Sequence, residues 1–432
     1  MHTMMRRFNL SSREWSYRKA LLFFVGLGSL AVSVFGLVQQ ALTEPKLQVG
    51  ETLAPRYAYL VDCGGTYVKV DTNQYQIASH GRIWDGPSTS SIRPDHVERF
   101  DGCLFNNAEN DAKRGLLYAV VQKHAFYSPQ GDNEFWVAAL RLSDFALVSK
   151  AGPFELFPWL LLDPDTDSLL VWSVDTIDQY GIPDLKKLET RRNPSDNLIS
   201  DRASFMSDEQ ILDEDRILDR RGNLKRRVDP QTLLTPAIKA TFRQQLALGM
   251  GAEQPFAAVH AGSRGERALF LVNPDTRQRP AERSGLLVYD LGGEQTMPPI
   301  TAPYRAYPTT VHLADNGSLV VIEEYEWRPP EEADQQLGTT SSGYDRFKTG
   351  TIAVYDASDG RFLQTIALEP PPGFLARVIG FSPEGTLMLY GSRTHIYIVD
   401  LRGHGEPQAL PTIEGFFPNQ QFPPLAVFFA DR

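Results

Sequence analysis

The two ends of the chain read as parts of one sheet. The last residues, Pro424 to Asp431, form a lone strand-like run with no partner after it. The first strand-forming stretch, Tyr57 to Asp71, reads as the second and third strands of a sheet that lacks its first. Joining the ends completes a four-strand unit that recurs along the sequence. A ring of such sheets, closed by one borrowed strand, is left without an open edge. The expected fold is therefore all-β, a single β-propeller closed by its C-terminal strand, with an N-terminal transmembrane helix.

The unit is plainest near the C-terminus. Arg377–Gly385, Thr386–Tyr390, Ile396–Asp400 and Gln408–Ile413 follow one another as four strands with their turns. The pattern returns as Thr310–Gly317, Ser318–Ile322, Thr351–Asp356 and Phe362–Ile366, and again as Phe256–Val259, Ala268–Val272, Leu286–Asp290 and Thr296–Ile300. Asn-Gly and Glu-Gly pairs in the turns supply the backbone a hairpin needs. Earlier copies are Val97–Phe105 with Leu116–Val121 and Phe135–Leu142, and Leu156–Leu162 with Ser168–Val174. Repetition over a few tens of residues marks a repeat architecture. Six blades are recognised, and residues 175–254, read as an insertion with short helices, leave room for a seventh. There Ser207–Gln210 has the form of a capping box, predicting a short helix. Ile217–Arg226 resembles a third and fourth strand, and Thr235-Pro236 starts a helix running to about Leu248.

Residues 20–38 run without a charge, long enough as a helix to nearly cross a ~30 Å hydrocarbon layer. Arg6, Arg7, Arg13, Arg18 and Lys19 precede the run and only Glu44 follows closely. Positive-inside then gives a cytoplasmic tail (1–19), a signal anchor (20–38), a linker (39–55) and a propeller (56–432) on the outer side of the membrane. A cleaved signal peptide is the competing reading, but the run exceeds its usual apolar length and no clean small-x-small site follows.

Of 432 residues, 43 are Lys or Arg and 53 Asp or Glu. Removing residues 1–44 leaves 38 basic against 51 acidic residues, a charge of −13. That sign disfavours nucleic acid, whose binding rests on phosphate neutralisation. The two cysteines, Cys63 and Cys103, suit a disulfide in an oxidising compartment. Closing a loop of about 40 residues, it would contribute on the order of 3–4 kcal/mol; two separate buried thiols are the plainer alternative.

Strand alternation sorts the connections. All second-to-third-strand loops leave on one face, and the first-to-second and third-to-fourth turns on the other. The long loops, 122–133, 175–215, 273–284 and 327–348, fall in the first set. They build up one sector of one face, the expected docking surface for a protein partner. The linker enters on the plain face, so the built-up face is expected to point away from the membrane.

Catalytic motifs are scarce. The sequence has no nucleophile elbow, zinc-protease motif, covalent-haem motif or P-loop, and no cofactor is expected. His260 and His312 fall in matching inner strands of adjacent blades, where convergence would suit a metal or acid–base work; hydrogen-bonded channel lining is the plainer reading. Glu323, Glu324 and Glu326 around Tyr325 alternate faces in a strand and read as a solvated edge. Aspartates closing third strands, Asp71, Asp290, Asp356 and Asp400, read as Asx-turn acceptors.

Tyr59–Asp71 and Phe381–Tyr390 resemble the YVTN-type periplasmic propellers, a group that includes the heavy subunits of quinone-cofactor amine dehydrogenases. Residues 256–300 are similar in layout to such a subunit. Together with the anchor, the resemblance implies a propeller in the periplasm, tethered to a bacterial inner membrane, that docks and channels for a separate cofactor-bearing subunit, so a non-catalytic role in a redox assembly. The chain departs from that family in its anchor, its cysteine positions and the six-blade count, and no family residue maps onto a numbered position. A different class, a lactonase-like propeller hydrolase with its site in the axial channel, is the alternative.

Overall fold

The computed structural model describes residues 56–430 apart from 62–65, 84–103, 112, 123–133, 164, 195–198, 200–202, 207–209, 245, 247–255, 262–266, 276–282, 315, 330–344, 375, 393, 404–405 and 412–425. Seven antiparallel sheets form, each with a path of four strands. Blade 1 takes its inner strand from Ala426–Ala430 and its others from Tyr57–Val61, Thr66–Asp71 and Gln76–Arg82. The closing strand pairs with Tyr57–Val61 from Tyr57↔Ala430 to Val61↔Ala426, so the ring closes as the sequence suggests.

Blade 2 runs through Leu104–Asp111, Leu116–Gln122, Phe135–Arg141 and Leu147–Phe154, and blade 3 through Trp159–Asp163, Ser168–Trp172, Thr176–Gly181 and Lys186–Arg192. Blade 4 is Ser204–Phe205, Gln210–Asp213, Arg216–Asp219 and Leu224–Arg227. Blades 5, 6 and 7 begin with inner strands Phe256–Ala261, Val311–Leu313 and Arg377–Phe381.

The sequence count of six is thus corrected to seven. Residues 175–254 are not an insertion. Their described residues hold the outer half of blade 3, all of blade 4 and helical residues from Pro236 onward. Ile217–Arg226 does contain a third and fourth strand, but of blade 4 rather than blade 3. Gln210–Asp213 pairs with Arg216–Asp219 as a hairpin, so the helix expected from the capping-box pattern does not extend through Gln210–Asp213; Ser207–Glu209 lie outside the described residues. Pairing buries Ile211 and Leu212 on both faces, which outweighs a local cap. The inner strands of blades 2 and 3 also begin later than their sequence boundaries. The helix starts at Pro236 as expected, with Thr235 Oγ1 accepting from the Ile238 amide at 3.3 Å, but it ends at Thr241 rather than near Leu248, capped by Phe242 at φ −98°, ψ 23°.

Why a ring forms is visible in the packing. Along Tyr57–Val61, Tyr59 and Val61 face blade 2, while Ala58 and Leu60 face blade 7. Every blade is apolar on both sides, and each of the seven seams holds its own buried cluster. On the plain face, polar side chains clip neighbouring turns. Arg114 of blade 2 reaches Asp167 of blade 3 at 2.7 Å, and Arg267 of blade 5 donates to the Gly317 carbonyl of blade 6 at 2.7 Å. The third-strand aspartates serve their turns: Asp71 Oδ1 accepts from the amides of Asn73 and Gln74, and Asp290, Asp356 and Asp400 accept from Gly293, Ser358 and Arg402.

The anchor segment and linker lie outside the described residues; among the described residues no helix is long and apolar enough to cross a membrane.

Closure yields a direct test. Phe429 of the last strand is 4 % exposed and packs between blades 7 and 1. Phe429→Ala should lower the stability of the whole ring by about 3–5 kcal/mol, read by denaturant unfolding. A cost below about 1 kcal/mol would mean that the last strand is dispensable.

Candidate functional site

Connections from second to third strands and from each blade to the next share one face. Blade 3 contributes little there, since its strands Ser168–Trp172 and Thr176–Gly181 are joined directly through Ser173–Asp175. This narrows the expected loop 175–215, on this face, to the link from blade 3 to blade 4, residues 193–203. The remaining long connections belong to blades 2, 5 and 6, together with the link between blades 4 and 5 that carries the helix. Phe242, at the end of that helix, is buried against Gly285, where a Cβ would stand 2.5 Å from its ring.

Blade 6 builds the most prominent feature of that face. Its middle strands, Leu319–Arg328 and Asp345–Asp356, are 10 and 12 residues long, and their pairing continues out to Arg328↔Asp345. The Arg328 guanidinium lies 4.0 Å from the Phe347 ring centre, and that of Arg346 4.2 Å from Tyr307. Phe374 packs edge-on to Phe347, and Trp327 edge-on to Tyr325. Arg346 also donates to the Thr309 hydroxyl. Guanidinium–aromatic stacks of this kind contribute about 0.5–1 kcal/mol each when exposed, and both side-chain types are common anchors at protein interfaces.

Beneath this hairpin lies a buried polar cluster. A bulge between Glu323 and Tyr325 breaks strict alternation. Val321 and Glu323 face blade 7, whereas Tyr325, after the bulge, reaches back to bond buried Asp275 of blade 5. Glu323 is 2 % exposed, which corrects the solvated-edge expectation for that glutamate. Glu324 accepts from the Thr349 hydroxyl at 2.7 Å, and Glu326 pairs with Arg328 at the surface. The three carboxylates therefore serve three separate places.

Glu323 gathers its own partners. His312 Nε2 is 2.7 Å from Oε1, and Lys348 Nζ is 3.0 Å from Oε2. The Tyr390 hydroxyl of blade 7 faces the same carboxylate. Both the Lys348 ammonium and the Tyr390 hydroxyl add hydrogen bonding to the charge attraction at this carboxylate. Burial alone would raise the Glu323 carboxyl, but Lys348 first, then His312 and Tyr390, hold it at about 2. Lys348 moves down from its ordinary value: burial outweighs its single carboxylate partner, and Arg346 adds repulsion. Burial, and then Glu323, push the Tyr390 phenol well above its usual range.

His312 does lie on an inner strand, as the sequence implies. It is held by Glu323, which orients the ring. The strand of His260 is the matching inner strand of blade 5, but its side chain is outside the described residues. Among the described residues no group of three or more metal-capable side chains gathers. Cys63 and Cys103 lie outside the described residues. Sequence reasoning missed Lys348 and Tyr390, since no local pattern ties either to Glu323.

No protein-family model matches the chain, and no curated protein matches it. Solved structures similar to it include dihydro-haem d1 dehydrogenase NirN in complex with DHE, at 12 % identity and TM-score 0.46, covering 90 % of this chain and 78 % of that one. The Pan2 WD40 domain of Neurospora crassa is similar at 12 % identity and TM-score 0.43, over 75 % of this chain and 82 % of that one. The Dos1 propeller is similar at 12 % identity and TM-score 0.41, over 84 % and 88 % respectively.

Glu323→Gln should cost about 3–5 kcal/mol, because it leaves the Lys348 ammonium buried without its counter-charge. Glu323→Gln/Lys348→Met should recover most of that loss. The wild-type contribution has a defined pH window. A carboxyl held at about 2 in the fold, below its unfolded value, stabilises fully above the unfolded value and loses this effect as pH falls toward 2. Urea unfolding between pH 2 and 7 should show that acid limb in the wild type and a flatter one in Glu323→Gln. Additive single-mutant losses would refute the coupling.

Proposed function

We propose that the chain is a membrane-anchored periplasmic propeller that acts without catalysing a reaction itself, docking a protein partner through its built-up face. The observation that carries this reading is the projecting hairpin of blade 6. Its stacked Arg328, Arg346, Phe347 and Trp327 stand on the face that also bears the long connections of blades 2 and 5. A rigid ring with recognition elements on one face suits a scaffold or interaction role. The sequence resemblance to amine-dehydrogenase heavy subunits makes a subunit of a redox assembly the favoured setting. One observation favours the alternative, a channel hydrolase. His312 sits on an inner strand with its ring oriented by a buried carboxylate, an arrangement suited to acid–base work.

Co-purification separates the two. The full chain, extracted gently from membranes that withstand carbonate washing, should carry a stoichiometric protein partner. Trp327→Ala/Arg346→Glu should reduce recovery of that partner at least tenfold while leaving the thermal transition in place. A lone protein with tightly bound metal would sink the docking reading and support the hydrolase. The proposed compartment has its own check. Alkylation of the denatured, unreduced protein should label neither of the two cysteines, and reduction should expose both; labelling before reduction would rule out the Cys63–Cys103 bridge.

A further inference from the structure

The outer edges of the blades are not alike. The outer strands of blades 1, 2, 6 and 7 read QIASHGR, LVSKAGPF, FLQTIA and QALP, with few charges. In blade 3 the edge is Lys186-Lys-Leu-Glu-Thr-Arg-Arg192, and in blade 4 Leu224-Lys-Arg-Arg227. Basic edge strands commonly serve to discourage strand-to-strand aggregation. Bulges against the third strand already guard the outer strands of blades 3 and 4, as they do those of blades 1, 2 and 6, so protection alone does not call for this density of charge. The charge is specific to one sector of the rim.

The two basic edges form one surface. The turn before the blade 4 edge is seated on blade 3 by Gly222, at φ +82°, where a Cβ would stand 2.8 Å from Ile177 and 2.9 Å from Trp172. Arg220 of that turn reaches Asp163 of blade 3 at 3.2 Å. The Glu189 carboxyl on the blade 3 edge is lowered first by Arg191 and also by Arg221 across the seam. Lys187, Arg226 and Arg227 have acidic neighbours at 2.8, 3.0 and 3.1 Å. The Arg226 and Arg227 pairs lie at the surface, where such pairs contribute little, whereas Lys187 is held by the buried Asp178 carboxylate. Between the cations stand Leu188 and Leu224, 58 % and 52 % exposed.

We propose that this rim, the edges of blades 3 and 4, rests on an anionic phospholipid surface. Lysine and arginine alternating with exposed leucine match a bilayer interface, where phosphates take the cations and the leucines enter the acyl boundary. The cations spread along an open edge rather than closing around a pocket, which suits many headgroups better than one phosphate. In a body of charge −13, an anionic bilayer repels most other surfaces and selects this one. The ring then stands on its rim, and the built-up face looks along the membrane instead of away from it.

The inference borrows the membrane setting from the proposed tether but is testable apart from it. The full chain is placed in nanodiscs of phosphatidylglycerol or of phosphatidylcholine, and amide exchange is followed across 186–192 and 224–227. Exchange should slow at least fivefold in phosphatidylglycerol only, and the protection should vanish at 0.5 M salt, as surface electrostatics require. Lys186→Glu/Arg192→Glu and, separately, Leu188→Ser/Leu224→Ser should each abolish it; the wild-type salt response keeps the test valid if a variant fails to fold. Equal exchange in both lipids, with the chain inserted in both discs, overturns the rim contact and leaves the tether standing. Protection that appears only when membrane proteins are added assigns the rim to an acidic protein instead. Failure to enter either disc, with retention on phosphatidylglycerol vesicles, removes the tether and keeps the rim contact.

Discussion

A blade of this protein cannot be stable alone, because both of its faces are apolar. Leu117, Ala119 and Val121 of one strand pack toward blade 1, while Leu116, Tyr118 and Val120 pack toward blade 3. Burial at roughly 25 cal/mol per Å² of apolar surface drives each sheet against a neighbour on either side. Only closure satisfies the last two faces. The pairing of Ala426–Ala430 with Tyr57–Val61 within blade 1 is therefore the contact on which the seven seams depend. Asn110 Nδ2 of blade 2 donates to the Phe429 carbonyl at 2.9 Å, tying the borrowed strand to the next blade as well.

The same constraint explains what the sequence reveals and what it hides. Blades 5 to 7 are legible because their middle strands are continuous apolar runs, such as Leu387–Gly391 and His395–Asp400, separated by Gly-containing turns. Closure is legible because an unpaired strand at each end has one solution. The outer half of blade 3 is not legible. Lys186–Arg192 carries four cations and an acid, and a strand that pairs on one edge and meets solvent on the other has no need of alternation. Blade 4 hides for another reason: its inner strand, Ser204–Phe205, is two residues long, too short to leave a period.

The polar cluster shows a sharper limit. Period-2 alternation places Glu323 and Tyr325 on one face, and a bulge between them sends one to blade 7 and the other to blade 5. Such a bulge depends on the partner strand, where Gly350 adopts φ +91° and a Cβ would stand 2.8 Å from the Leu368 carbonyl. Nothing near Glu323 in the sequence announces this. His312 could be placed on an inner strand from the repeat alone, yet its oriented ring depends on a carboxylate whose direction the bulge decides.

The position of that cluster bears on how the hairpin above it works. A buried ion pair adds little stability over well-packed apolar side chains, and its best-attested use is to specify one arrangement. An apolar pair at Glu323 and Lys348 would tolerate a slip of one strand past the other. The charged pair does not, because a shift of one residue would leave both charges buried and alone. Tyr325 bonded to Asp275 fixes the hairpin to blade 5 in the same manner, and Tyr390 beside Glu323 relates it to blade 7. The guanidinium–aromatic stacks of Arg328 and Arg346 thus project from a base whose register is set on both sides. In the proposed docking role, a hairpin held in that way would present its anchors with little conformational freedom left to lose on binding.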